Sequence, residues 1–401
     1  MKTNWRTIQL LSISKAVSML GSQVMVFTLI IRQKDSGAAA IGALFIAIQL
    51  PTILFAAWSG WLSDRYSTKS LVPLFSVVQA ITSIALIHYS STVEVLVLVF
   101  FSRTFGTVVN PAWTAVVPQL ASQEDLPRAM GLQQSYFSTA QVLGPAFGGF
   151  LVATTGYTWP FVLDAITFLF LALVPFLLRV NRASHIPEVG NKMRASEGFR
   201  FLFNVPILRN ITVLLTVFIL ALGVVNIGLV FLVLNVLHGT VGQYGLIESS
   251  FAVGSVLGAV GVSVIKIKKE LHPRMIVIGL AILGVATLCV SISWNWMIIL
   301  IGMLVSGVGQ SIMNAYVMGI LLELTPENTL GRVSAAINGV VNVGMVAAMG
   351  IAGLLITPLG VRQVLIGGSI FSIISLIVFS PRLLRNNQEA ILGITAPNTA
   401  S

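Results

Sequence analysis

Four ionisable side chains, Lys15, Arg103, Asp164 and Glu248, fall inside long apolar runs of the chain. Charge in a hydrocarbon setting is costly, so each is a functional candidate. A carboxyl that accepts a proton in one access state of a membrane protein and releases it in another needs a pKa set by burial and neighbours. Asp164 and Glu248 are the acids best placed for that chemistry, about a turn and a half and about a turn into their runs. Each can equally be a rim residue whose carboxyl reaches water. Arg103 can stabilise a nearby deprotonated acid or bind cargo, or it can merely clamp helices through an ion pair or carbonyls. Lys15 lies about two turns into the first run, and snorkelling to the edge is preferred for it over a cavity role. Gln23, Asn110, Asn226, Gln310, Asn314, Asn338 and Asn342 add amides that can hold a ligand or bridge helices.

The elements that carry these residues follow from composition. Of 401 residues, 56% are hydrophobic and only 9% charged, against about 25% charged in a soluble domain. A water-facing surface needs more charge than that, whereas spanning helices of about 20 apolar residues do not. Apolar runs recur at roughly 8–31, 40–62, 71–90, 94–117, 130–153, 159–179, 207–235, 244–265, 274–292, 296–321, 333–356 and 363–380. They predict an all-α membrane protein of twelve transmembrane helices. The run from Ile8 is too long for a signal-peptide core and is expected to act as its own insertion signal.

The net charge of +10 is read as the positive-inside bias of a membrane protein, not as nucleic-acid binding, because no water-facing domain carries a basic patch. With spans alternating, Lys2, Arg6, Arg65, Lys69, Arg128, Arg179, Arg182, Lys192, Arg194, Arg200, Arg209, Lys266, Lys268, Lys269, Arg274, Arg332, Arg382 and Arg385 fall on one side. Only Arg32, Lys34 and Arg362 fall on the other, so both termini are expected in the cytoplasm. The longest polar break predicts this organisation: a six-helix bundle over 1–180, a cytoplasmic linker over 181–206 with an interfacial helix at EGFRFLFN, a second bundle over 207–385, and a cytoplasmic tail over 386–401.

Enzyme chemistry finds no foothold. The four histidines are scattered, with none at metal-ligand spacing, and Cys289 is the single cysteine. No G-x-x-x-x-G-K-[ST] phosphate loop is present, which excludes an ATP-driven pump of that kind. No metal and no cofactor are expected.

Two loop and helix motifs remain. Gly60-Trp61-Leu62-Ser63-Asp64-Arg65-Tyr66-Ser67-Thr68-Lys69 places an acid and two bases where a span meets the cytoplasm. Such a cluster can latch helices in one conformation, or it can be a solvated loop obeying the charge rule. Ala140-Gln141-Val142-Leu143-Gly144-Pro145-Ala146-Phe147-Gly148-Gly149 kinks a span at Pro145 and lets a neighbour approach at its glycines.

The first stretch resembles motif A of the major facilitator superfamily, with Gly60, Leu62, Asp64, Arg65 and Lys69 matching; Ser67 stands where Gly is usual and Thr68 where a base is usual. The equivalent stretch Gly261 through Lys269 keeps the glycine and bases but lacks the acid. The second stretch resembles motif C of the proton-coupled antiporters, through Gly144, Pro145, Gly148 and Gly149, and Arg103-Thr104-Phe105-Gly106 is similar to a shortened motif B. RTFGTVVNPAWTAVVPQL, EDLPRAMGLQQSYFSTAQVLGPAFGG and YGLIESSFAVGSVLGA are similar to the branch of bacterial macrolide efflux proteins and the enterobactin exporter. That resemblance implies two six-helix halves, a cytoplasmic gate at Asp64, and cavity positions at Gln23, Asn110, Asn226, Gln310 and Asn314. It also implies a monomer in the bacterial inner membrane that extrudes an amphipathic small molecule in exchange for protons. An importer or facilitator on the same fold is the alternative, and a non-transporting membrane sensor the remote one.

Overall fold

In hydrocarbon every backbone N–H and C=O must be satisfied within the chain, which an apolar run of this length achieves as a helix. The computed structural model describes residues 3–89, 91–114, 116–177, 195–265 and 267–391, and among them the fold is all helical. The helices are α1 (Trp5–Gln33), α2 (Ala38–Leu54), α3 (Ala56–Arg65), α4 (Thr68–His88), α5 (Thr92–Thr114), α6 (Val117–Leu120), α7 (Leu126–Thr155) and α8 (Thr158–Leu177). They continue with α9 (Ala195–Asn204), α10 (Pro206–Phe231), α11 (Val241–Val264), α12 (His272–Ile292), α13 (Trp296–Leu324), α14 (Glu327–Leu359) and α15 (Val361–Ile391).

Among the described residues, 10 segments are long and apolar enough to cross a membrane. Two expected spans are not among them, for local reasons. The second run is split at Phe55, whose φ of −108° and ψ of 9° depart from the α-helical values, and α2 and α3 share the length. The fifth is the 30-residue α7, whose Gln133, Gln134 and Gln141 lower its hydropathy. The seventh run ends in a π-helical turn, Leu232–Val236, that extends α10. Of the expected linker, 181–194 lies outside the described residues, 195–204 forms α9, and Pro206 already opens α10. Helix α15 runs to Ile391, so the expected tail begins helical; 392–401 lies outside the described residues.

The contacts divide the chain into two compact units, Met1–Gly190 with His238–Ser249, and Asn191–Leu237 with Ser250–Ser401. In the first, α1 packs on α7 and α8, α4 on α8 and α5, and α2 and α3 on α5. Trp113 is fully buried there and donates its indole N–H to Leu11 O at 3.3 Å. In the second, α12 packs on α13, and α10 on α14 and α15. The amphipathic α9 tucks Leu202 into that unit's core and leaves Phe199 and Phe203 exposed. A Cβ on its Gly198 would come within 2.5 Å of Arg332 O, so only glycine permits α9 to lie this close to α14.

Candidate functional site

The first unit encloses a cavity of about 560 Å³. Helix α1 lines it with Lys15, Ser18, Ser22 and Gln23; α2 adds Gln49 and Thr52, α4 adds Gln79, and α5 adds Arg103, Gly106 and Asn110. Met19, Ile48, Phe137 and Phe168 supply apolar wall. Charge interactions run from Lys15 to Arg103 and from Arg103 to Asp164. Arg103 Nε and Gln79 Oε1 are buried with no hydrogen-bond partner. Lys15, for which snorkelling was the preferred expectation, faces this cavity.

Asp164 lies behind the wall and is 0% exposed. Ser83 donates to its Oδ2 at 2.5 Å and Ser22 to its Oδ1 at 3.2 Å. The carboxyl therefore does not reach a rim, and it meets the cavity lining through the Ser22 hydrogen bond and the charge of Arg103. Sequence reasoning missed Ser22, Ser83 and Gln79. Ser14, Ser18 and Ser22 recur every fourth residue on α1, as Gln79 and Ser83 do on α4, but the spacing marks none of them as a carboxyl's partner, and Ser14 donates to Leu11 O of its own helix.

Glu248 is placed elsewhere, in the first turns of α11, where Tyr244 Oη donates to its Oε1 at 2.9 Å. The Tyr244 ring stacks on Phe27 with centroids 5.2 Å apart. Phe27 in turn lies against Gly148, where an added Cβ would come within 3.2 Å of it. Ala146 N, the amide after Pro145, donates to Ser249 Oγ at 2.9 Å, and a Cβ on Gly245 would fall 2.6 Å from Pro145 O. On the other face of α7, a Cβ on Gly144 would fall 2.5 Å from Gln23 Cβ. Gly149 lies against Val241 O, which a Cβ would approach to 3.1 Å. The Gly-Pro stretch thus serves as a seat for both α1 and the start of α11.

At the expected gate, Gly60, Asp64 and Arg65 lie in α3, and Lys69 in the first turn of α4. Arg65 stacks over the Trp61 ring at 5.2 Å, and Ser63 Oγ donates to Gly60 O at 2.9 Å. The Asp64 side chain lies outside the described residues. In the second unit, Lys269 pairs with Glu323 of α13 at 3.3 Å, so that stretch finds its acid on another helix. Asn226 on α10 and Gln310 and Asn314 on α13 also belong to the second unit. Among the described residues no cluster of three His, Cys, Asp or Glu could hold a metal ion.

Comparison with known proteins gives a consistent result. The family model described as Major Facilitator Superfamily matches residues 11–269 and 237–394. An uncharacterised MFS-type transporter, YfiS of Bacillus subtilis (strain 168), is 25% identical over 230 residues, 55% of each chain. Macrolide efflux protein A of Streptococcus pyogenes is 22% identical over 260 residues, 61% of this chain and 63% of that one. Among solved structures, the nucleoside transporter NupG, in a point-mutant form, superposes with a TM-score of 0.79 at 11% identity, covering 94% of this chain and 99% of that one.

Proposed function

The chain belongs to the Major Facilitator Superfamily, and on that premise we propose that it is a proton-coupled exporter of amphipathic small molecules working by alternating access. It is a multi-pass membrane transporter, which requires a bilayer around it and a small molecule to carry. Export is supported by the likeness of Gly144-Pro145 and Gly148-Gly149 to the antiporter motif, a stretch that here takes up two neighbours at its glycines while Ser249 accepts from the amide after Pro145. The efflux relative supports the same direction.

Glu248 is the better proton carrier of the two acids. It is half-buried, holds one phenol, and stands beside that seat. Protonating it would remove the charge that Tyr244 now stabilises and loosen the Tyr244–Phe27–Gly148 stack. Asp164 is sealed from solvent with both oxygens engaged, so it serves as a fixed counter-charge to Arg103. Asp64, Arg65 and Lys69 form the gate of the cytoplasmic face in this reading.

The same reading places both termini in the cytoplasm of a bacterial plasma membrane, organises the helices as two six-helix halves, and makes the working unit a monomer. The three bases on the minority side do not argue against it, because each is engaged locally. Arg32 donates to Leu86 O at 2.5 Å, Lys34 pairs with Asp35 at 2.6 Å, and Arg362 donates to Ser291 O and Ser293 O at 3.3 and 2.9 Å.

A susceptibility panel in cells with and without the protein identifies a cargo. Proteoliposomes then report whether efflux of that cargo moves protons the opposite way. Proton movement is expected in the wild type and absent in Glu248→Gln. Cargo flux that runs undiminished without a pH gradient and moves no protons would refute antiport. Uptake of a nutrient in place of efflux would establish the importer on the same fold.

A further inference from the structure

The cavity of the first unit is electrically lopsided. Among the described residues its lining carries two bases, Lys15 and Arg103, and no carboxylate. The nearest compensating acid, Asp164, is behind the wall with its oxygens turned to Ser22 and Ser83. Two positive charges against one negative leave an excess of one, in surroundings where an uncompensated charge is expensive. Two polar atoms at the same wall, a donor on Arg103 and an acceptor on Gln79, are buried and unmatched. Gln79 is itself only 5% exposed. Buried polar groups left without partners are rare in proteins and call for a ligand or another explanation.

We propose that this cavity is the subsite for a compact monoanion, a carboxylate on an apolar body. Arg103 and Lys15 hold the carboxylate, and Gln79 accepts from an N–H or O–H beside it. Arg103 suits the role because its planar guanidinium matches a carboxylate edge to edge. Phe137, Phe168, Met19 and Ile48 cover the body, and the volume falls in the range of small-molecule sites, about 300–1,000 Å³. A single negative charge completes the balance that Asp164 leaves unfinished. A cationic amphiphile meets two like charges and no acid. The inference deepens the exporter reading by naming the class of its cargo, and it rests on that reading only for the word cargo.

The test uses the full chain in phosphatidylcholine nanodiscs, titrated with anthracene-9-carboxylate, its carboxamide and 9-aminomethylanthracene, each read by fluorescence against empty nanodiscs. The carboxylate is expected to bind at least about tenfold more tightly than the amide, with the amine weakest, since a charge-assisted hydrogen bond contributes that much or more. Arg103→Gln should erase the preference. Asp164→Asn, nearly isosteric, should do the opposite and strengthen carboxylate binding several-fold by removing the counter-charge. The wild-type ligand series stands even if a variant does not fold. Equal affinity for all three ligands, or preference for the amine, overturns the proposal. Loss of carboxylate binding when phosphatidylglycerol is added would give the site to a lipid headgroup and overturn its assignment to cargo. Anion preference in a protein that extrudes nothing would sink the exporter reading and leave the subsite standing. Extrusion of cations and anions alike would do the reverse.

Discussion

Tyr244 carries two interactions that can be separated by one atom. Its ring stacks on Phe27, and its hydroxyl donates to Glu248. Tyr244→Phe keeps the stack and leaves the carboxylate without its donor. A hydrogen bond to a charged partner contributes about 1.5–3 kcal/mol. The variant is therefore expected to be destabilised by that amount, read as a lower melting temperature in detergent, and to change the pH dependence of efflux; an unchanged melt and pH profile would deny the pair any role. Asp125 offers a second test, outside the spans. Thr3 Oγ1 donates to it at 2.5 Å and Ser122 Oγ at 3.1 Å, while Ser122 N donates to Thr3 Oγ1 at 3.0 Å. Thr3 first, then Ser122, hold the Asp125 carboxyl below its ordinary 3.8, with Arg128 adding to the effect. A depressed carboxyl stabilises above its unfolded value and loses that contribution as pH falls through the folded one. The protection of the Ser122 and Asn4 amides relative to their intrinsic exchange rates should thus be high at neutral pH and fall below about pH 4; equal protection at both would show that the clasp is not held by charge. Of these residues, Glu248 stood out in the sequence as an acid in an apolar run, while Tyr244 was not singled out there although residues four apart on a helix face each other. The partners of Asp164 were not, since Ser22 and Ser83 lie 142 and 81 residues away in sequence. Nothing local marks a serine in a span as a carboxyl's partner rather than a donor to its own helix, as Ser12 and Ser14 are.

Helices in this chain meet at two kinds of glycine, and one pair of substitutions tells them apart. Gly144 leaves no room: a Cβ would sit 2.5 Å from Gln23 Cβ, on the face where α7 packs on α1. Overpacking of this sort costs about 1–3 kcal/mol, so Gly144→Ala should lower the melting temperature. Gly60 has nothing within 4 Å of its Cβ position. Gly60→Ala in helix α3 should be neutral or gain up to about 1 kcal/mol from helix propensity. Intrinsic tryptophan fluorescence during thermal unfolding reads both. A Gly60→Ala protein that melts no lower yet fails to transport would mean that the glycine is needed in another conformation of the gate, whereas one that melts well below wild type would contradict the open surroundings seen here. Element boundaries were legible where apolar length alone decides, as in α4, α8 and α12. They were not where sequence carries opposing signals. Pro51 in the second run let it read as one span, although the chain bends at Phe55, whose ring packs edge-on to Trp58 and Phe100 at 6.0 and 6.2 Å. The pairing of Lys269 with Glu323 was hidden for the same reason as that of Asp164: the partner arrives from a different helix.

For the molecule as a whole, the +10 charge has one consequence that does not depend on any side-chain contact. Lys and Arg resist translocation, so their distribution fixes which loops stay inside. The exceptions decide whether that argument holds here. Arg362 caps the C-terminal carbonyls of α12 and stacks over Trp294 at 3.8 Å; Arg32 caps α4 and lies over Phe161 at 5.7 Å. A base that satisfies helix-end carbonyls has a structural reason to sit where it does, and the helix dipole favours it there. Setting aside these two, and Lys34, which pairs with Asp35 at 2.6 Å, leaves a one-sided distribution, readable from the sequence once the span count is right. Ser36 and Ser70 are exposed on opposite sides of the span formed by α2 and α3. In a Cys289→Ser background, Ser36→Cys should react with a membrane-impermeant maleimide in intact cells. Ser70→Cys should react only after permeabilisation. The reverse pattern would place both termini outside. It would also put the Asp64 gate on the wrong face for a cytoplasmic latch, and with it would fall the direction of transport inferred from the likeness of the Gly-Pro stretch to the antiporter motif.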